Sequence, residues 1–129
     1  MLTLGSLFNG IGGWIIAGNK YGVKTLWESE VEKYCEALMR VRFPDVQQLG
    51  DVTKIDGAKI SPVDIVCAGS PCQNLSVAGN REGLAGEQSG LFRESIRIIR
   101  QLRKSTGGGT ILRMGERTRC IYKRIRAWC

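Results

Sequence analysis

An apolar run that breaks on a cluster of glycines and resumes at helical spacing leaves a chain few folds to choose from. Leu2-Thr3-Leu4-Gly5-Ser6-Leu7-Phe8 reads as a strand and Asn9-Gly10-Ile11-Gly12-Gly13 as a turn. Trp14-Ile15-Ile16-Ala17-Gly18 then reads as the start of a helix. Glycines let the backbone turn sharply and approach a ligand, and a helix amino terminus favours anionic or carboxylate groups. The spacing is G-x-G-G, short of G-x-G-x-x-G, so a dinucleotide site is poorly supported. A tight turn without ligand stands beside the ligand-binding reading.

The next elements repeat the alternation. Lys24-Thr25-Leu26-Trp27 is a second short strand ending in Glu28-Ser29-Glu30, and Glu30 to Arg40 reads as a helix that stops before Pro44. An acidic residue about 20 positions past such glycines is where a ribose hydroxyl pair is gripped. Glu28 and Glu30 are also what a helix amino terminus favours for its dipole. Asp51, after Gly50, is either an acceptor for an exocyclic amine or a turn residue. Asp64-Ile65-Val66-Cys67 is a buried strand, followed by Ala68-Gly69-Ser70-Pro71-Cys72-Gln73. Proline fixes its own φ and keeps Ser70 extended, so Cys72 is presented from a stiff turn at a strand end, where open α/β sheets place their chemistry. Residues 74 to 90 read as loop, with glycines at 79, 83, 86 and 90 suited to a lid. Leu91 to Lys104 returns to helix, with Leu91, Ser95, Ile98, Ile99 and Leu102 as the buried stripe and Gly107 as its stop.

Composition narrows the chemistry. With 43% hydrophobic and 24% charged residues, 129 residues suit a globular domain with a real core. No apolar run approaches the roughly 20 residues that span a bilayer, and no signal peptide is visible. The five cysteines are odd in number, show no C-x-x-C spacing and have no histidine beside them, which argues against a metal site and against a disulfide scaffold. A reducing compartment, the cytoplasm, is expected. Without histidine, Ser-His and Cys-His activation are excluded, so any reactive thiol is activated otherwise. The net charge of +7 suggests a nucleic-acid partner, but it is unevenly spread. Residues 1–109 carry 13 Lys and Arg against 11 Asp and Glu, whereas residues 110–129 carry 6 against Glu116 alone.

Taken together, the motifs resemble a family. Residues 1 to about 106 look like the amino-terminal half of the catalytic domain of a DNA (cytosine-5) methyltransferase. Phe8-Asn9-Gly10-Ile11-Gly12-Gly13 resembles its S-adenosylmethionine loop, and Trp27-Glu28-Ser29-Glu30 its ribose-binding strand end. Gly50-Asp51-Val52 resembles the adenine segment, Gly69-Ser70-Pro71-Cys72-Gln73 the nucleophile motif, and Ser89-Gly90-Leu91-Phe92 the close of the mobile loop. Several motifs in order and at compatible spacing are far more specific than any one of them.

The resemblance implies an α/β, Rossmann-like S-adenosylmethionine-dependent methyltransferase fold, here incomplete, with about four strands and flanking helices. It implies cofactor contacts at Phe8, Gly10, Gly12, Gly13, Glu30, Val31, Asp51, Val52 and Leu91. Glu30 rather than Glu28 falls on the ribose-binding glutamate. It places Cys72, with Pro71 and Gln73, at the catalytic centre. The partner is duplex DNA carrying the target cytosine, with Ser76 and Arg81 as candidate phosphate contacts; simple solvation is the alternative for both. The implied chemistry is attack of the Cys72 thiolate on C6 of a flipped cytosine and methylation at C5.

The chain departs from the family beyond the last helix. The expected Glu-Asn-Val, whose glutamate holds the cytosine ring, is absent, and so are the later recognition segments. Residues 107–129 are therefore expected to be a basic tail outside any domain. The genetic code offers a reason. Methionine has the single codon ATG and every glycine codon begins with G, so reading one nucleotide later forces tryptophan across Met114-Gly115. In that frame, codons allowed for Gly115 to Tyr122 spell Glu-Asn-Val-Pro-Gly-Ala-Phe. A frameshift between about Ser105 and Ile111 is the expectation. With it comes a half-domain of marginal stability, inactive alone. Such a chain would be a cofactor-binding remnant, or one half of an enzyme completed by a second chain.

Overall fold

Short apolar runs separated by helical stretches build a parallel sheet, because each crossover returns the chain to the same edge direction. The computed structural model describes residues 1–69, 87–107 and 111–114. In chain order the elements are β1 (Thr3–Leu7), α1 (Gly13–Lys20), β2 (Lys24–Ser29), α2 (Lys33–Arg42), β3 (Gln47–Gln48), a 3-10 turn (Val52–Lys54), β4 (Ile65–Ala68), α3 (Glu87–Thr106) and β5 (Ile111–Met114). The sheet order is β3-β2-β1-β4-β5, every pair parallel. β1 is central, and the strand order reverses beside it, between the β1→β2 and β1→β4 sides. In open α/β sheets that reversal is where a crevice forms at the carboxyl ends of the strands.

One face of the sheet carries the core. Leu7, Trp27, Val66 and Ala68 from the strands pack with Val52, Ile55 and Val63 and with Ile98, Ile99 and Leu102 of α3. Ser95 of the same helical stripe is also fully buried, while Leu91 packs at the margin of the cluster. Trp27 is 0% exposed, and its indole Nε1 donates to the Ser61 carbonyl at 2.8 Å. The ring has room because its neighbour on β1 is Gly5: a Cβ there would stand 2.2 Å from two ring carbons. Arg97 ties α3 to the 3-10 turn, Nη1 donating to the Ile55 carbonyl at 2.7 Å and Nη2 to the Val52 carbonyl at 3.1 Å. At the far end of the sheet Asp64 Oδ2 accepts from the Thr3 amide at 2.8 Å and its hydroxyl at 2.7 Å. These bonds pin the start of β1 to the start of β4 and hold the carboxyl below its usual range.

Four boundaries differ from the sequence expectation. α3 begins at Glu87, not Leu91; Gly90 inside a helix costs about 1 kcal/mol relative to Ala, too little to stop one this long. α2 begins at Lys33, because Glu30 turns its carboxylate onto the amides that precede the helix. β2 runs on to Ser29, two residues past Trp27, as its pairing with β1 continues. Last, the expected tail contributes a fifth strand. Ile111–Met114 pairs in parallel with β4 along its whole length, Ile65 opposite Ile111 and Ala68 opposite Met114. An unpaired parallel edge accepts a short apolar run whatever its history. Among the described residues no helix is long and apolar enough to cross a membrane.

Candidate cofactor site

The carboxyl ends of β1, β2 and β4 converge. After Leu7 the backbone enters the left-handed region at Phe8 (φ 52), Gly10 (φ 58) and Gly12 (φ 91). Phe8 is the only non-glycine among the described residues with positive φ, a conformation that costs about 1 kcal/mol or more and persists only where surroundings enforce it. The enforcement is visible. The Asn9 amide donates to the Ser29 carbonyl at 3.1 Å, and Gly12 N donates to the Asn9 carbonyl at 3.2 Å. Gly12 caps α1 without a side-chain bond, which leaves the first amides of the helix facing the loop. A Cβ at Gly12 would sit 3.0 Å from Met39 Sδ, whereas the space beside Gly10 and Gly13 is open.

Glu30 lashes the end of β2 to this loop. Its Oε2 accepts from Gly10 N at 2.7 Å, and its Oε1 from Val31 N at 2.8 Å and Glu32 N at 3.0 Å. Ser29 Oγ donates to the Gly50 carbonyl at 2.6 Å, and Leu49 N to the Glu28 carbonyl at 2.9 Å, so Asp51 is carried to the same rim. Asp51 caps the 3-10 turn. Its Oδ1 accepts from Thr53 N at 2.9 Å and Thr53 Oγ1 at 2.8 Å, and these bonds hold the carboxyl below its usual range. Gly69 N donates to the Leu7 carbonyl at 3.4 Å, which brings the exit of β4 against the exit of β1.

The structure thus gathers Phe8, Gly10, Gly12, Gly13, Glu30 and Asp51 at one rim. Val31 lies beside them, 64% exposed. Val52 does not join them: the residue is 3% exposed and part of the core, and its carbonyl accepts from Arg97 Nη2. Leu91 packs against the core from the first turns of α3. Pro71, Cys72, Gln73, Ser76 and Arg81 lie outside the described residues. Among the described residues no group of three or more His, Cys, Asp or Glu side chains is placed to hold a metal ion.

Sequence reasoning passed over one feature of the rim. Glu28 is 1% exposed and lies opposite Ser6 on β1. Burial, with the negative charges of Glu30 and Glu36, pushes its carboxyl up to about 7. Two positions before Glu30, its carboxylate reads from sequence either as a strand-end acid for a ribose or as a charge favoured by the helix that follows. The signal available was the strand alternation that turns Trp27 and Glu28 to opposite, equally buried faces.

A parallel sheet of this order with a glycine loop and an acidic strand end defines an open α/β, Rossmann-like class of protein, and similarity to known proteins makes it specific. The model of the C-5 cytosine-specific DNA methylase family matches residues 2–104, and the chain belongs to that family. The relatives it resembles include Type II methyltransferases. It is 33% identical over 95 residues to the Type II methyltransferase M.HhaI of Haemophilus parahaemolyticus, covering 74% of this chain and 29% of that one. It is 38% identical over 94 residues to M.MspI of Moraxella sp, covering 72% and 22%. The chain thus spans less than a third of the length of these relatives. Among solved structures, a DNA modification methyltransferase encoded within an E. coli prophage superposes with a TM-score of 0.68 at 16% identity, over 96% of this chain and 36% of that one. The S. pombe Dnmt2 methyltransferase does so with a TM-score of 0.57 at 16% identity, over 73% and 30%. The fold is therefore the Rossmann-like methyltransferase fold, incomplete, with five parallel strands among the described residues.

Proposed function

We propose that the Phe8–Gly13 loop, Glu30 and Asp51 hold S-adenosylmethionine, and that Cys72 is the nucleophile of cytosine-5 methyl transfer in duplex DNA. The observation that carries this is the Gly69–Leu7 bond: the segment leading into Ser70-Pro71-Cys72 starts beside the glycine loop. The rim fits the cofactor's donor and acceptor groups. Open space at Gly10 and Gly13 lets a ligand lie on bare backbone. Glu30 Oε2, already taking one amide, keeps a lone pair for a ribose hydroxyl, and Asp51 Oδ2 is left for an exocyclic amine. Val31 offers apolar cover at the lip, and Phe8 and Leu91 the floor.

When bound, the cofactor supplies an electrophilic methyl group. The target base leaves the stack, since its ring edge is out of reach inside the duplex. The Cys72 thiolate adds to cytosine C6, and the displaced electron pair makes C5 nucleophilic. A methyl group delivered to C5 would leave the donor's sulfur as a neutral thioether, and loss of the C5 proton to a base would return the electron pair that expels the Cys72 thiolate. Pro71 stiffens the thiol's approach and Gln73 flanks it, while Ser76 and Arg81 are positioned in sequence for phosphate contacts. An odd number of cysteines without paired spacing and a DNA partner both suit the cytoplasm.

No Glu-Asn-Val occurs in these 129 residues, so we infer that they bind cofactor without turnover on their own. A second chain carrying that glutamate and the recognition region would complete the site. Calorimetry with S-adenosylmethionine tests the binding: no heat at millimolar ligand sinks it. Transfer of labelled methyl to cytosine-containing duplex is expected only after the carboxy-terminal half of a relative is added. Turnover by this chain alone would overturn the incomplete-site reading.

A further inference from the structure

Beneath the cofactor loop lies a set of buried polar groups that the proposed reaction does not use. Ser6, Asn9 and Glu28 are 0%, 5% and 1% exposed. Ser6 Oγ donates to Asn9 Oδ1 at 2.9 Å, which fixes the orientation of the Asn9 amide and turns its Nδ2 away from Ser6. Glu28 is the residue opposite Ser6 across the β1–β2 ladder. Among the described residues neither Glu28 oxygen nor Asn9 Nδ2 has a partner meeting hydrogen-bond geometry, yet Asn9 lies near enough to favour the charged carboxylate. An orphan donor and an orphan acceptor side by side in a dry site are costly apart and are satisfied by one small closure. Asn9 is also the hinge of the loop, its backbone amide bonded to Ser29 and its carbonyl to Gly12.

We propose that Glu28 is a positioning residue for the methyl donor, its buried carboxyl fixing the Asn9 side chain and through it the Phe8–Gly13 loop. The inference rests on the reading that this loop holds S-adenosylmethionine. Glu28 does so as a neutral acid. The charged and titratable groups around it are Glu30 at the end of its own strand and Glu36 and Cys35 on α2. Ionising Glu28 would set a second negative charge against Glu30, which clamps Gly10. A neutral Glu28 leaves Glu30 as the sole charge facing the ribose.

The test compares the whole chain with Glu28→Gln and Glu28→Leu, by calorimetry with S-adenosylmethionine at pH 6 and pH 8.5. Glu28→Gln is expected to match the parent at pH 6 and to keep that affinity at pH 8.5, while the parent weakens several-fold. Glu28→Leu is expected to lose roughly tenfold at both, the scale of one stranded buried polar group. Nuclear magnetic resonance of the Asn9 side-chain amide without ligand gives an independent readout. Its shift is expected to titrate near neutrality in the parent and to stay flat in Glu28→Gln. Parallel pH profiles for parent and Glu28→Gln, or an Asn9 amide indifferent to pH in both, overturn the proposal, as does full affinity in a folded Glu28→Leu. If the parent binds no cofactor at any pH, the cofactor reading fails, and the Asn9 titration still decides whether Glu28 holds the loop.

Discussion

Replacing Gly5 by Ala places one methyl group where the chain has no room. The new Cβ would stand 2.2 Å from two carbons of the Trp27 ring and 2.5 Å from a third. The ring cannot swing away cheaply, because it is fully buried and its Nε1 is held by the Ser61 carbonyl at 2.8 Å. Overpacking of this kind costs about 1–3 kcal/mol. If the indole moves far enough to lose its bond, a stranded buried N–H adds about 1–3 kcal/mol. Against this, Ala in place of Gly restricts the unfolded chain and returns about 0.4–1 kcal/mol. With that bond lost the net cost is about 1–5 kcal/mol, a large share of the roughly 5–15 kcal/mol that holds a whole domain. Urea unfolding followed by circular dichroism and tryptophan fluorescence measures it. Trp27→Leu in the Gly5→Ala background removes the clash, so the double variant should be less destabilised than the two single losses added together. A loss below about 0.5 kcal/mol for Gly5→Ala, or strictly additive losses, would refute the claim that this glycine exists to admit the ring.

Stability should also depend on Glu28. Its carboxyl sits at about 7 in the fold against 4.5 unfolded, so the folded chain holds the extra proton between those values. Unfolding free energy is then expected to fall as pH rises from about 4.5 to about 7, by no more than roughly 3 kcal/mol, and to lose that slope in Glu28→Gln. Arg97→Met strips the charged donors from the Ile55 and Val52 carbonyls; about 2 kcal/mol should be lost in urea unfolding, and an unchanged midpoint would show that water replaces the guanidinium freely. Sequencing the coding DNA checks the frameshift: one nucleotide out of frame, the codons from Met114 should read Trp-Glu-Asn-Val-Pro-Gly-Ala-Phe, and any other reading ends the idea.

Much of this fold was legible because its signals are local. The apolar run before Asn9-Gly10 and the run at Ile65–Ala68 are short, bounded and buried on both faces, which is what parallel strands require. The glycines at 10, 12 and 13 and the acid at 30 were readable as neighbours because a strand-turn-helix-strand unit brings the two strand ends together, where Gly10 N donates to Glu30. What escaped depends on the third dimension. β3 is two residues long and carries no periodicity. Gly5 resembled any strand glycine until Trp27 was seen to need its space. Glu28 and Glu30 differ by two positions and share a side chain. Only the pairing with Ser6 and the fold of the loop over Asn9 separate a buried acid from a rim carboxylate. For residues 111–114 the expectation of an unpacked tail gave too little weight to what an open strand edge can recruit.

The central place of β1 has a consequence in time. β1 is synthesised before both strands that flank it, and its partner β4 lies some sixty residues downstream, pinned by the Thr3–Asp64 clamp across a separation of 61. At roughly 5–20 residues per second, β1 waits about 3–12 s for that partner to be made. During that interval the helix-bearing β1–β2 half can form, but the strand leading into Cys72 cannot be in place. The strand that ends at Ala68 is therefore laid down against a rim of Gly10, Glu30 and Asp51 already built, and the nascent chain completes one side of its strand-end crevice before the other.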